Sequence, residues 1–132
     1  MDRINCNQIK EGQFLLMECR GVSARYFEIV KVLNENGEIQ IISNDADIKN
    51  IRDIPSGFVL KSYVSIIKIE KNAGWNKKGT DKNTDIVGFY PIEQQTLKEM
   101  ALKKMSEKIE QIEKYEKEAN KFKQTMKEIG LL

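Results

Sequence analysis

The chain has no histidine, and only two cysteines, two prolines and four arginines among its 132 residues. Each scarcity removes a chemistry. Without histidine there is no imidazole general base, no Ser-His-Asp or Cys-His pair and no imidazole metal ligand. Cys6 and Cys19 cannot close a four-ligand zinc site by themselves. Their spacing is not C-x-x-C, which excludes a thioredoxin-type redox motif. No cofactor and no metal is implied, and no residue stands out as catalytic.

Long hydrophobic runs are also missing. The longest, Phe14-Leu15-Leu16-Met17, is far too short to span a bilayer. The first residues, Met1-Asp2-Arg3-Ile4-Asn5, carry no apolar signal region. The expectation is a cytoplasmic chain with reduced thiols and no membrane partner.

What is abundant is lysine (18), isoleucine (17) and asparagine (10). All three have A/T-rich codons, so the composition suggests a low-GC bacterium or its phage. That origin weakens lysine richness as a sign of a nucleic-acid partner. The net charge is only +2, although charged residues make up 32% of the chain, above the usual ~25%. Much of the chain is therefore a solvated face.

Two regions differ in character. Residues 9–70 alternate apolar and polar residues as β-structure does. A run from Gln13 to Arg20 is followed by the small-residue break Gly21-Val22-Ser23-Ala24 and a second run, Arg25 to Asn34. Asn36-Gly37 predicts a type I′ hairpin turn, since both residues tolerate positive φ, and Glu38 to Ser43 would be the returning strand. Asn44 or Asp45 could cap a short helix carrying Ile48 and Ile51. Phe58 to Glu70 reads as a long strand that is apolar on both faces, hence covered on both sides or bent across a small barrel. The pattern over residues 9–70 resembles small β-barrels in outline and carries no family-specific motif.

Residues 71–84 are polar and lysine-rich and read as a loop, with Asp85 to Tyr90 a brief strand after it. Gly74-Trp75-Asn76-Lys77-Lys78-Gly79-Thr80 has the glycine spacing of a phosphate-binding loop. It lacks the lysine after the second glycine and the helix that should follow, which excludes a nucleoside triphosphatase of that type. Asp45 and Asp47 do not make a calcium loop either, because Lys49 and Asn50 occupy positions that need an oxygen ligand and a glycine. The candidate binding residues are Lys71, Trp75, Lys77, Lys78 and Lys82. Trp75 could stack on a base while the lysines meet phosphates, or simply anchor the loop.

From Pro91 the pattern becomes helical. Pro91 suits a first helical turn, and Thr96-Leu97-Lys98-Glu99 matches a capping box. Met105, Ile112, Ala119 and Met126 recur seven apart, with Tyr115, Phe122 and Ile129 three behind and Ile109 beside them. A helix from Ile92 to Ile129 would be about 57 Å long. A 90-residue domain has a radius of gyration of only about 12 Å, so such a helix cannot be buried wholly against it.

The fold class expected is thus α+β: a small antiparallel sheet or partly open β-barrel over residues 1–90, then a long amphipathic C-terminal helix over 91–132. The function expected is that of a non-catalytic binding or adaptor protein. Its β-domain would recognise a macromolecule, and its helix would form a homo-oligomer or dock on another protein. A phage or mobile-element protein acting on a host factor fits this class. A nucleic-acid-binding regulator using the lysine/Trp segment is the second reading, and a carboxylate-dependent enzyme the third.

Overall fold

A computed structural model describes residues 2–43, 48, 51 and 60–132. It shows six β-strands and one long helix: β1 (Phe14–Arg20), β2 (Arg25–Val32), β3 (Glu38–Ile41), β4 (Ile66–Lys68), β5 (Asn76–Lys78), β6 (Asp81–Pro91) and α1 (Gln94–Glu128). A short 3₁₀ turn, Cys6–Gln8, precedes them. The strands form one antiparallel sheet in the order β4-β3-β2-β1-β6-β5, curled into a nearly closed barrel. The α+β class read from the sequence is the class observed.

The two end strands, β4 and β5, do not share a ladder, yet the chain between them is tightly tied. The Asn76 amide takes the place of a backbone partner. Its Oδ1 accepts from Glu70 N–H at 2.8 Å, and its Nδ2 donates to Glu70 O at 3.2 Å. Farther along, a cleft of about 400 Å³ opens between Ile66 and Ile67 on one side and Lys78 and Gly79 on the other.

The sheet is buried on both faces at its centre. Leu15, Met17 and Cys19 of β1 join Val30, Val32, Ile39, Ile41, Ile69, Ile86 and Phe89 inside the barrel. Leu16 points the other way, with Phe27 and Ile29, against Ile48 and Leu97. A strand covered on both sides reads as a continuous apolar run, which is why Phe14-Leu15-Leu16-Met17 lacks alternation. The sequence suggested this property for Phe58 to Glu70 instead. Phe58 and Val59 lie outside the described residues; among those described in that stretch the regular strand is Ile66–Lys68, and Tyr63 and Val64 are exposed. After the Ser43–Leu60 bridge the chain bends, and it rejoins β3 only near Ser65.

The hairpin at Asn36-Gly37 is present between β2 and β3, with a wider turn than the two-residue type. Leu33 N–H donates to Glu38 O at 2.9 Å, which leaves Asn34–Gly37 as the loop. The Asn34 side chain accepts from Asn36 N–H (3.0 Å) and Glu38 N–H (3.3 Å). Gly37 has φ +90°, and a Cβ there would sit 2.3 Å from the Ile69 carbonyl oxygen. Only glycine permits that approach. The short helix expected from Asn44 or Asp45 falls largely outside the described residues. Ile48 is buried and bridges to Phe27, and Ile51 packs on the same outer cluster.

Residues 71–84, expected as a loop, hold β5, its hairpin turn and the start of β6. The expected Asp85–Tyr90 strand is correspondingly longer, Asp81–Pro91. Nor does Pro91 open the helix. It ends β6, opposite Leu15, at a ladder end where its missing N–H costs least. The helix begins at Gln94, before the Thr96 capping box, with Leu97 N–H bonded to Glu93 O at 3.1 Å. At its other end Gly130 (φ +80°) closes a Schellman motif: Leu131 N–H donates to Met126 O (2.8 Å) and Gly130 N–H to Lys127 O (3.2 Å).

The chain divides into two compact units, Met1–Ala101 and Leu102–Leu132. The first helical turns belong to the first unit, because Leu97, Met100 and Ala101 pack on the outer cluster. The division is therefore later than the 90/91 boundary read from the sequence. Gly37→Ala should lower stability by about 1–3 kcal/mol through backbone strain and the Ile69 clash, as a lower urea midpoint with an unchanged slope.

Candidate functional site

Two carboxylates are buried in the sheet: Glu28, met by Lys78 from a distant strand, and Glu18, met by Arg20 and Arg25 of its own hairpin and by Arg3. Glu28 points into the barrel with no solvent exposure. The Lys78 ammonium bonds it directly and also donates to the Tyr26 hydroxyl at 3.0 Å. Burial works against the Lys78 charge. The bonds to Glu28 and Tyr26 and the Glu28 charge outweigh it and raise its pKa above the ordinary lysine value. Burial likewise raises the pKa of Tyr26, against the lowering bond from Lys78.

Glu18 lies on the opposite, outer face, 1% exposed. The Arg25 guanidinium donates to its Oε1 at 3.1 Å, and the Tyr90 hydroxyl does so at the same distance. Arg20 and Arg3 approach Oε2 at 3.5 and 3.8 Å. Arg25 also lies over the Phe27 ring, 5.1 Å from its centroid. Arg3 crosses the open space at Gly88, where an added Cβ would be 2.4 Å from Arg3 Cδ. Three of the chain's four arginines thus converge on one carboxylate.

The ladder extends this face sideways. Arg20 is in register with Arg25 on β2 and Asp85 on β6, and Asp85 with Lys77 on β5. These four side chains form a row about 14 Å long at the ~4.8 Å spacing of neighbouring strands. Lys77 bonds Asp85 at 2.6 Å.

The lysines singled out in the sequence are separated by this fold. Lys71 pairs with Glu35 at 3.2 Å, beside a polar cleft lined by Asn36, Lys68 and Glu70. The Glu11 backbone bond and Lys71 together hold the Glu35 carboxyl below its usual range. Lys77 is on the outer face and Lys78 in the barrel. Lys82 is exposed on β6. Trp75 is 64% exposed and precedes β5 by one residue, so strand alternation puts it on the side of Lys77. Nearby, Asp81 accepts from the Thr84 hydroxyl and the Asn83 N–H, and both bonds lower its pKa.

Sequence reasoning overlooked Glu18, Glu28 and the arginines. A signal was available: each glutamate is flanked on both sides by apolar residues within its strand, and a buried charge must be paired. Cys6 and Cys19 are buried and form no disulfide. Burial raises the Cys6 pKa despite the Asn76 amide bond to its Sγ, so the thiol stays protonated and poorly nucleophilic. Among the described residues no group of three or more Cys, Asp or Glu is placed to hold a metal ion, and no helix is long and apolar enough to cross a membrane.

The remaining candidates are on α1. Exposure runs from 47% at Leu102 and Ile109 to 69% at Phe122, with Met105, Ile112, Tyr115 and Ile129 between. Ala119 is exposed and Met126 half-buried. No known protein family, curated protein or solved structure matches the chain.

Lys78→Met strips the buried Glu28 of its ammonium and should cost about 3–5 kcal/mol, while Lys78→Met with Glu28→Leu should recover most of it. Urea denaturation of both variants checks this. The Lys78 pKa is raised in the folded state, so its support is complete below about pH 10.5 and is lost as pH rises through the folded value. The alkaline limb of the stability curve should therefore flatten in the double variant.

Proposed function

We propose that this is a non-catalytic binding protein that self-associates through residues 102–132 and recognises a macromolecular partner with its β-domain. The observation that carries the reading is the exposed apolar series from Leu102 to Ile129. A helix with that much uncovered apolar surface lowers its free energy by pairing, at roughly 25 cal/mol per Å² removed from water.

Residue sizes and charges favour an antiparallel pair of copies. A parallel pair in register would stack Tyr115 on Tyr115, Ala119 on Ala119 and Phe122 on Phe122, giving layers of very unequal width. An antiparallel pair can set Ala119 against Phe122, Ile112 against Ile129 and Tyr115 against Met126, so that small meets large. The same register brings Glu116 opposite Lys123 twice. The fully overlapped register, centred on residue 117, would instead put the two copies' Glu116 side chains together. Interhelical charges of this kind choose orientation more than they add stability.

Nucleic-acid binding through Lys71, Lys77 and Lys78 is less supported as a lysine-loop mechanism, because each of these ammoniums faces a carboxylate. Among the described residues no arrangement supports a catalytic role.

Light scattering should give a mass above that of one chain for the full-length protein. Ile112→Asp with Phe122→Asp should return it to a single chain without unfolding the sheet. Under mild oxidation, Glu116→Cys with Lys123→Cys should cross-link copies, and Glu116→Cys alone should not. Cross-linking by the single variant would remove the antiparallel register. A monomeric parent protein would remove the helix role.

A further inference from the structure

We propose that the outer face around Glu18 binds single-stranded nucleic acid, with Arg3, Arg20 and Arg25 holding a backbone phosphate and Trp75 stacking on a base. This rests on reading the β-domain as the recognition part of the protein, and it names the partner.

The first argument is charge. Three guanidiniums surround one carboxylate. Lys77 and Asp85 cancel beside them, so among the described residues the cluster carries two positive charges in excess. Three cations held this close repel one another unless a further anion arrives. A single guanidinium would have satisfied Glu18 with two parallel bonds.

The second argument is geometry. Glu18 is buried and bonded by Tyr90, so it is a fixed anchor. Arg25 is further held by the Phe27 ring, and Gly88 leaves room for Arg3 to lie flat. The arginine side chains are nevertheless 45%, 58% and 53% exposed for Arg3, Arg20 and Arg25. Each guanidinium has five N–H donors, and Glu18 engages few of them. The rest face solvent in positions set in advance, which is the arrangement that suits a phosphate group.

The third argument separates a polymer from a small anion. The charged row crosses four strands on the outer side of the sheet, beyond the outer apolar cluster. The exposed Trp75 is on the side of Lys77. Charge along a backbone plus an aromatic platform is the sequence-tolerant mode of single-strand binding.

The test is fluorescence anisotropy of full-length protein with a labelled oligothymidylate, at about 50 and 200 mM salt. The expected result is binding that weakens with salt, with a log–log slope of about −0.7 for the one phosphate contact, roughly a threefold loss between the two salt concentrations. Arg3→Ala and Arg20→Ala should each weaken it about tenfold. Trp75→Ala should weaken it by about five- to a hundredfold, the range for loss of one stacked base. Lys82→Ala, outside the row, should leave it unchanged. Gly88→Ala covers the case in which an arginine variant fails to fold. It displaces Arg3 without removing a charge, and should weaken binding several-fold while the melting temperature stays close to the parent's. Absent binding overturns the inference, as does binding that Lys82→Ala reduces and the arginine variants do not. Binding of inorganic pyrophosphate without the oligonucleotide overturns the assignment to nucleic acid. Binding by a protein that is monomeric leaves the inference standing while the proposed assembly fails, and self-association without binding shows the reverse.

Discussion

The constraint on which the rest of this structure depends is the burial of the sheet centre on both faces. β1 has the barrel interior on one side and the outer cluster of Phe27, Ile29, Ile48 and Leu97 on the other. No position along β1 from Leu15 to Cys19 is left for an uncompensated polar side chain. Glu18 is nevertheless there, and Glu28 faces inward from β2. A buried carboxylate without partners costs several kcal/mol. The fold meets that demand with Lys78 from β5, Arg3 from the N-terminal segment, and Arg20 and Arg25 from the β1–β2 hairpin itself.

Those cations organise what surrounds the sheet. Lys78 enters the barrel from β5, helping to seat the last strand near β2, to which it has no ladder. Arg3 is drawn over β6 and Arg20 and Arg25 over the turn between β1 and β2. The result is asymmetric. The inner carboxylate is met by an ammonium that also donates to a phenol, and that charge is enclosed. The outer one is met by three half-exposed guanidiniums, and a positive excess remains at the surface. The inner pair is largely shut off from solvent, whereas the outer cluster keeps guanidinium surface in water.

The helix follows a different logic. Through Ala101 it is held by packing on the outer cluster. Beyond that its order comes from helix-forming residues, the Lys104–Glu107 pair at 3.9 Å and a glycine-closed C-terminus. Its apolar series remains exposed in the single chain. The proposed binding by the sheet and the proposed assembly by the helix are thus separable in experiment, since the two sets of residues share none.

The sequence by itself determined the class of fold, the β2–β3 hairpin and the long C-terminal helix. Each rests on local physics: a glycine needed at positive φ, strand alternation, a repeat close to seven residues with no helix breaker before Gly130. It also determined what chemistry is absent, because a missing histidine is missing in any fold. Tertiary structure alone decided which strand is covered twice, where β6 releases the chain into the helix, and what each charge does. Lys77 and Lys78 are adjacent in sequence and look equivalent. Strand alternation sends one to Asp85 on the outer face and the other to Glu28 inside the barrel. Arg3, Arg20 and Arg25 look unrelated in sequence and meet at one carboxylate. A charge is read by its neighbours in space, and only pairing between distant strands fixes which neighbours those are.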